Sequence, residues 1–300
     1  MRVANTTISD NIVRQIQQLS SQQTQLQSEV SSGLRITQPS DDSAAFGRVM
    51  GLESSNRALS QYASNANTAL GISQATVSAL EQIKSISDRA TQIGVLGTGT
   101  EGAQAMAAYG SEVDQLIQQA VQLGNSQLNN NYLFSGTAIT TSPYTTTTDA
   151  QGQITAVSYA GNTSQAAIPM SQNSSLAPGS DGATNQGLSD FINHLISLRD
   201  ALNAGDTNAV GTAQNGLLDT ENTIVNAISG QGAVQMRIEV NQAQQTSAQT
   251  SIGQLISDDT DADLPSTVVK LTQAQNSYQA ALQSAASLMK TSLLNYLPVT

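Results

Sequence analysis

Cysteine and tryptophan are both absent from these 300 residues, aromatic side chains make up only 3%, and charged ones only 11%. Each shortage closes a route. Without Cys there are no disulfides, no thiolate ligands and no thiol nucleophile, and the redox compartment stays undetermined. Few rings and few charges leave little to fill a thick globular core or to solvate a broad surface. Ala, Ser, Thr, Gln and Asn take their place, which suits long, thin helical contacts. Basic residues are also scarce: 11 Lys and Arg stand against 22 Asp and Glu, for a net charge of −11. A phosphate backbone is held by clustered cations, so nucleic acid is excluded as a partner. No apolar run approaches the roughly 18 residues of a membrane span, and no membrane insertion is expected. The opening MRVANTTISDNIVRQIQQ has neither an apolar core nor a small-residue cleavage site. Export, if it occurs, is expected by a route without a cleaved signal peptide.

What the chain does have is helical periodicity, and its two ends carry it most plainly. Leu264, Val268, Leu271, Gln275, Tyr278, Leu282, Ala285 and Met289 follow one another at alternating steps of four and three. That spacing lays a narrow apolar stripe along a helix, the seam of a coiled coil. Asp263 offers an N-cap and Pro265 fits the first turn, where a missing N–H costs nothing. Over residues 264–297 the helix would extend about 50 Å. Ile12, Ile16, Leu19, Gln23, Leu26 and Val30 repeat the rhythm near the other end and stop at Gly33. Each seam carries one glutamine, Gln23 and Gln275, of the kind that sets register at some loss of stability. The two ends are therefore expected to pair antiparallel, with the rest of the chain strung between them.

Between the ends the pattern is helical twice over, with an interruption. A turn at residues 38–42 leads into a long helix from about Ser43 to Ile93, then a break at the glycines 97, 99 and 102, then a third helix to Leu123. Alternation in Ile154-Thr155-Ala156-Val157-Ser158-Tyr159, between Gly152 and Gly161, predicts a strand in a small β-rich insertion. Helix resumes at Leu188. Asp206 then precedes a strict seven-residue row, Val210, Leu217, Ile224, Gln231, Ile238, Gln245 and Ile252, which predicts a supercoiled contact. Gly230 and Gly232 predict a bend or a close approach there, and residues 257–263 read as an acidic hinge. The expected fold is mainly α: an elongated antiparallel helical bundle and a terminal coiled coil made from both chain ends, with a small β-rich central insertion. The expected segments are a terminal helical arm at 1–37, a bundle at 38–135 and 184–262, an outer insertion at 136–183, and a second arm at 263–300.

Patterns that imitate chemistry do not survive their context. Gly97, Gly99 and Gly102 satisfy a dinucleotide fingerprint, but that motif needs a preceding strand, and here a helix precedes it. Asp258, Asp259, Asp261 and Asp263 lack the glycine bend and distal Glu of a calcium loop. His194, the lone histidine, has no nucleophile motif around it. No catalytic residue, metal site or cofactor is expected.

Three motifs carry a resemblance. Ser31-Ser32-Gly33-Leu34-Arg35-Ile36 with Pro39-Ser40-Asp41-Asp42, then Gly232-Ala233-Val234-Gln235-Met236-Arg237-Ile238, then Ser292-Leu293-Leu294-Asn295-Tyr296-Leu297, occur in an order similar to that of the flagellin superfamily. The turn Pro39-Ser40-Asp41-Asp42 and the run Asn130-Asn131-Tyr132-Leu133-Phe134-Ser135-Gly136 resemble the branch that joins hook to filament. A short filament flagellin is the alternative. The resemblance implies a non-enzymatic structural subunit, exported to the flagellum outside the cell. Its implied partners are a neighbouring hook-associated protein, flagellin, copies of itself in a ring, and a cytoplasmic export chaperone. Assembly would run through the two terminal seams.

Overall fold

The computed structural model describes residues 2–99 and 102–294, and the side chains of 10–99 and 102–287. Helices α1 (Arg2–Ser32), α2 (Ser43–Gly97) and α3 (Ala103–Gly124) come first. Six short strands follow: β1 (Gln127–Leu128), β2 (Asn131–Tyr132), β3 (Tyr144–Thr148), β4 (Ile154–Tyr159), β5 (Ile168–Ser171) and β6 (Ser174–Leu176). Helices α4 (Gly182–Ala204), α5 (Thr207–Thr260) and α6 (Leu264–Leu294) complete the chain. The fold is mainly α with a small β insertion.

Aspartate caps start α2, α4 and α5. The Asp42 carboxylate accepts from the backbone N–H groups of Ala44 and Ala45 at 3.1 and 3.0 Å. Asp181 does the same for Thr184 at 2.7 Å, and Asp206 for Asn208 and Ala209. Each satisfies donors that the first helical turn leaves unpaired. Gly97 closes α2 and Gly102 precedes α3, so the glycine-bearing segment joins two helices.

The chain divides into two compact units. One comprises Met1–Arg57 with Gln249–Thr300, the other Ala58–Ala248; α2 and α5 lend segments to both. The larger unit holds the main core. Leu80, Ile83 and Ile93 from α2 meet Val113 and Ile117 from α3, Phe191, Leu195 and Leu198 from α4, and Val210, Leu217 and Ile224 from α5. Burying each of these side chains contributes about 1.5–3 kcal/mol. The seven-residue row of α5 is the inward face: Val210, Leu217, Ile224, Gln231, Ile238 and Gln245 are all buried. Its two glutamines are paired, Gln231 accepting from the Ser73 hydroxyl at 2.8 Å and Gln245 donating to the Met170 carbonyl at 2.8 Å. Ile238 anchors a second, smaller cluster with Ala66, Ala69, Met170 and Leu176.

The insertion is three separate antiparallel hairpins. In the first, Asn129 and Asn130 both have positive φ, the requirement of a two-residue type I′ turn. The second pairs Tyr144 with Tyr159 and Thr146 with Val157, so the threonine run is a strand with one buried residue at its start.

Two expectations are revised. Gly230 and Gly232 do not interrupt α5, and among the described residues nothing beyond the adjoining helix backbone lies within 4 Å of where a Cβ would stand on either. The acidic hinge is also shorter than expected, because α5 runs on to Thr260. Its last turn is kept by the Asp261 N–H to Ser257 carbonyl bond at 2.8 Å, and Arg48 neutralises Asp259 within it.

Candidate assembly sites

The first site lies in the unit that holds both ends of the chain, where the α1–α2 and α5–α6 connections meet. Gly33, at φ +74°, takes the left-handed conformation that ends α1, and its N–H returns to the Glu29 carbonyl at 2.9 Å. The chain then lies antiparallel to the end of α5. Arg35 N–H donates to the Thr260 carbonyl at 2.6 Å, and Ala262 N–H to the Gly33 carbonyl at 2.8 Å. The Arg35 guanidinium reaches the Asp259 carbonyl at 2.8 Å. Arg48, inside α2, grips the Asp259 carboxylate with Nη2 at 2.6 Å and Nε at 3.1 Å. This two-point pairing holds the Asp259 carboxyl below, and the Arg48 guanidinium above, its ordinary pKa.

The turn Pro39-Ser40-Asp41-Asp42 stands beside this clamp and has two working carboxylates. Asp41 accepts from the N–H groups of Thr37 and Gln38, each at 3.0 Å, and from both of their side chains. The Thr37 N–H bond is the leading cause that lowers its pKa. Asp42 caps α2. These carboxylates are occupied by backbone donors and a guanidinium, in an arrangement that ties connections together rather than one that moves protons.

The second site is the pairing of α1 with α6. On α1 the sequence-read seam is the covered face: Leu26 is buried, and Ile12, Ile16, Leu19, Gln23 and Val30 are half-buried. On α6 the stripe divides. The covered row is Thr267, Leu271, Ala274, Tyr278, Ala281 and Ala285, again at steps of four and three. Leu264, Val268, Gln275 and Leu282 are exposed, and the side chain of Met289 lies outside the described residues. The physical reason is size. Bulky α1 residues fit against Thr and Ala on α6, which turns the helix by about one position from the row of large apolar residues.

Residues that no sequence pattern singled out organise the insertion. Arg199 of α4 is only 2% exposed, yet it donates to Asp114 of α3 at 3.0 Å, to Asp200, and to the Ile154 carbonyl at 2.8 Å. Burial opposes its charge, and the two carboxylates outweigh burial, so its pKa rises. Asn193 accepts from the Val157 N–H at 3.0 Å and donates to the Val157 carbonyl at 2.8 Å. Asn125 treats Tyr144 in the same way, at 3.0 and 2.9 Å. The Tyr144 hydroxyl is buried and donates to the Asn185 carbonyl at 2.7 Å, and burial pushes its pKa well up. His194 is half-buried against Gly216. Polar anchors of this kind leave no periodic trace, because each is a single long-range contact.

Comparison with known proteins adds three findings. Residues 3–139 match the bacterial flagellin N-terminal helical region. No curated protein sequence matches the chain. Among solved structures, one assigned as a flagellar hook-associated protein from Vibrio parahaemolyticus superposes with a TM-score of 0.66 at 16% identity, over 74% of this chain and 100% of that one. FlgL from Bacillus cereus gives 0.59 at 18% identity, over 69% and 98%. FlgL from Xanthomonas campestris gives 0.53 at 13%, over 68% and 98%.

Proposed function

We propose that this chain, which carries a flagellin N-terminal helical region and folds like the hook-associated structures, is a flagellar hook-associated protein 3, the structural subunit that joins hook to filament. The observation that carries the reading is coverage. The match covers all of the Vibrio hook-associated structure. The function is mechanical. Paired terminal helices and the Arg48–Asp259 clamp hold the two chain ends together, and the exposed row Leu264, Val268 and Leu282 remains for neighbouring subunits. The neighbours are copies of the chain in a ring, another hook-associated protein on one side and flagellin on the other. Delivery is by the flagellar export apparatus, with a cytoplasmic chaperone.

The test is genetic and biochemical together. Deleting the gene leaves complete hooks without filaments and sends unpolymerised flagellin into the medium, and the purified protein does not lengthen filament seeds. A short filament flagellin, the second reading, gives the opposite: no flagellin in the medium and seeds that grow from this protein alone.

A further inference from the structure

A pocket of about 380 Å³ opens in the larger unit, where α2 faces the first hairpin and β5. Ile72 of α2, Leu128, Tyr132 and Leu133 around the hairpin, Ile139 beyond it and Ile168 of β5 line the space. None of the six is fully buried, and Ile139, the most open, is 38% exposed. No Asp, Glu, Lys, Arg or His stands among the lining residues, whereas the neighbouring cleft between the start of α4 and α5 holds Asp181 and Arg237.

Hydrogen bonds set the walls in place. The Tyr132 N–H donates to the Ile139 carbonyl at 2.9 Å, which fixes the segment that carries Ile139. The Asn65 amide donates to the Pro169 carbonyl at 2.8 Å and ties β5 to α2, and the Gln165 amide reaches the Gly179 carbonyl at 3.3 Å. Gly71, inside α2, also lines the pocket. Among the described residues nothing beyond the adjoining helix backbone lies within 4 Å of where its Cβ would stand. A glycine within a helix lowers its stability, and here the missing side chain adds to the open space.

We propose that this pocket binds an uncharged, largely apolar small molecule of the size of two or three rings. Preformed apolar walls with a few polar groups are the usual form of a small-ligand site. An ion would enter without a counter-charge, at a large desolvation penalty. Size follows from volume: a cavity of about 150 Å³ holds benzene, and this one is roughly two and a half times larger. Tyr132 adds one hydrogen-bonding group to the wall, because its hydroxyl has no partner among the described residues. The occupant would touch α2, the first hairpin and β5 together. These hairpins share no sheet, so the ligand would tie them to the helical core. The site belongs to the larger unit and does not depend on the flagellar reading.

The test uses the full chain and N-phenyl-1-naphthylamine, an uncharged probe of this size whose fluorescence rises in apolar surroundings. Its signal saturates at one molecule per chain. With isoleucine methyls labelled for NMR, Ile72, Ile139 and Ile168 shift with the same midpoint, while Ile83 and Ile117 in the main core do not. Gly71→Leu fills the pocket and weakens binding by about tenfold or more. Circular dichroism shows that the variant keeps its helix, and Ile139→Gln, at an exposed position, weakens binding severalfold as an independent check. The same ring skeleton carrying a sulfonate, 8-anilinonaphthalene-1-sulfonate, binds about tenfold more weakly or less. A signal that does not saturate, equal shifts in the core isoleucines, unchanged affinity in the folded variants or equal affinity for the anionic probe overturns the proposal. So does filling by a second copy, seen as Ile72 and Ile168 shifts that follow protein concentration without the probe. None of these outcomes changes the deletion phenotype above.

Discussion

Replacing Arg199 by Ala tests how the helical core holds its insertion. The guanidinium is buried and spans three elements, so its loss leaves the Asp114 carboxylate and the Ile154 carbonyl without this donor. Leaving a buried carbonyl unmet costs about 1–3 kcal/mol. Removing one partner of a fully buried pair costs about 3–5 kcal/mol, but Asp114 is 21% exposed and water recovers part of that. The expected total is about 2–4 kcal/mol, read as a lower urea midpoint with an unchanged slope. Arg89→Ala is the control. Its pair with Glu112 is exposed on both sides, so the expected loss is at most about 1 kcal/mol. A double-mutant cycle of Arg199→Met with Asp114→Asn separates the pair from the packing, and the double change should cost clearly less than the sum. Equal losses for the Arg199 and Arg89 variants, or an additive cycle, would refute the reasoning.

Ile238→Ala should lower stability by about 2–5 kcal/mol, because Ile238 is the largest inward contact of α5 in the small cluster, whereas Thr146→Ser on the exposed strand should lower it by less than about 0.5 kcal/mol; denaturant midpoints decide between them. Gly97→Ala should destabilise, because a Cβ there stands 2.5 Å from Leu202 Cδ2, and a variant that also carries Leu202→Ala should show a smaller penalty for the added methyl. Asp41 and Asp259 both have folded pKa values below the ordinary 3.8. Their contribution is therefore complete above that value and is lost as pH falls from it through the lower folded values, so the Arg35 and Ala262 amides should lose exchange protection below about pH 4 while those of α4 keep it. Asp259→Asn should flatten this dependence, and an acid limb that is the same in wild type and variant would rule the clamp out as its source.

Periodicity made some of this structure legible and left the rest silent. The α1 seam and the inward row of α5 could be read because a helix repeats its environment every three or four residues, and β4 because a strand alternates. The row on α6 divided because the sequence marks apolar residues, while close packing on α1 selects Thr267, Ala274 and Ala285 for their size. The threonine run at residues 145–148 carries no alternation of its own, and its pairing with β4 makes it a strand. Acidic residues at 257–263 look like a solvated hinge until Arg48, some two hundred positions earlier in the chain, is brought to Asp259. Arg199, Asn125 and Asn193 are single contacts between distant segments, so no spacing could announce them.

The amides of Asn125 and Asn193 have a consequence for solubility. Each meets an outward-facing N–H and C=O of the β3–β4 hairpin, Asn125 on one edge and Asn193 on the other, where the backbone of a third strand would otherwise bond. Proteins commonly guard such edges with lysines, which repel an incoming strand. Residues 137–182 contain no Lys or Arg, and β3 is a run of threonines with high strand propensity, the composition that recruits further strands when left open. A side-chain amide that copies one peptide unit and then ends is a stopper: it completes the ladder without offering a next residue. Conversion of Asn193 to Asp would remove the donor to the Val157 carbonyl and set a negative charge against it. The Ser189 hydroxyl of α4, which also donates to the Val157 carbonyl at 3.1 Å, would then satisfy that carbonyl alone.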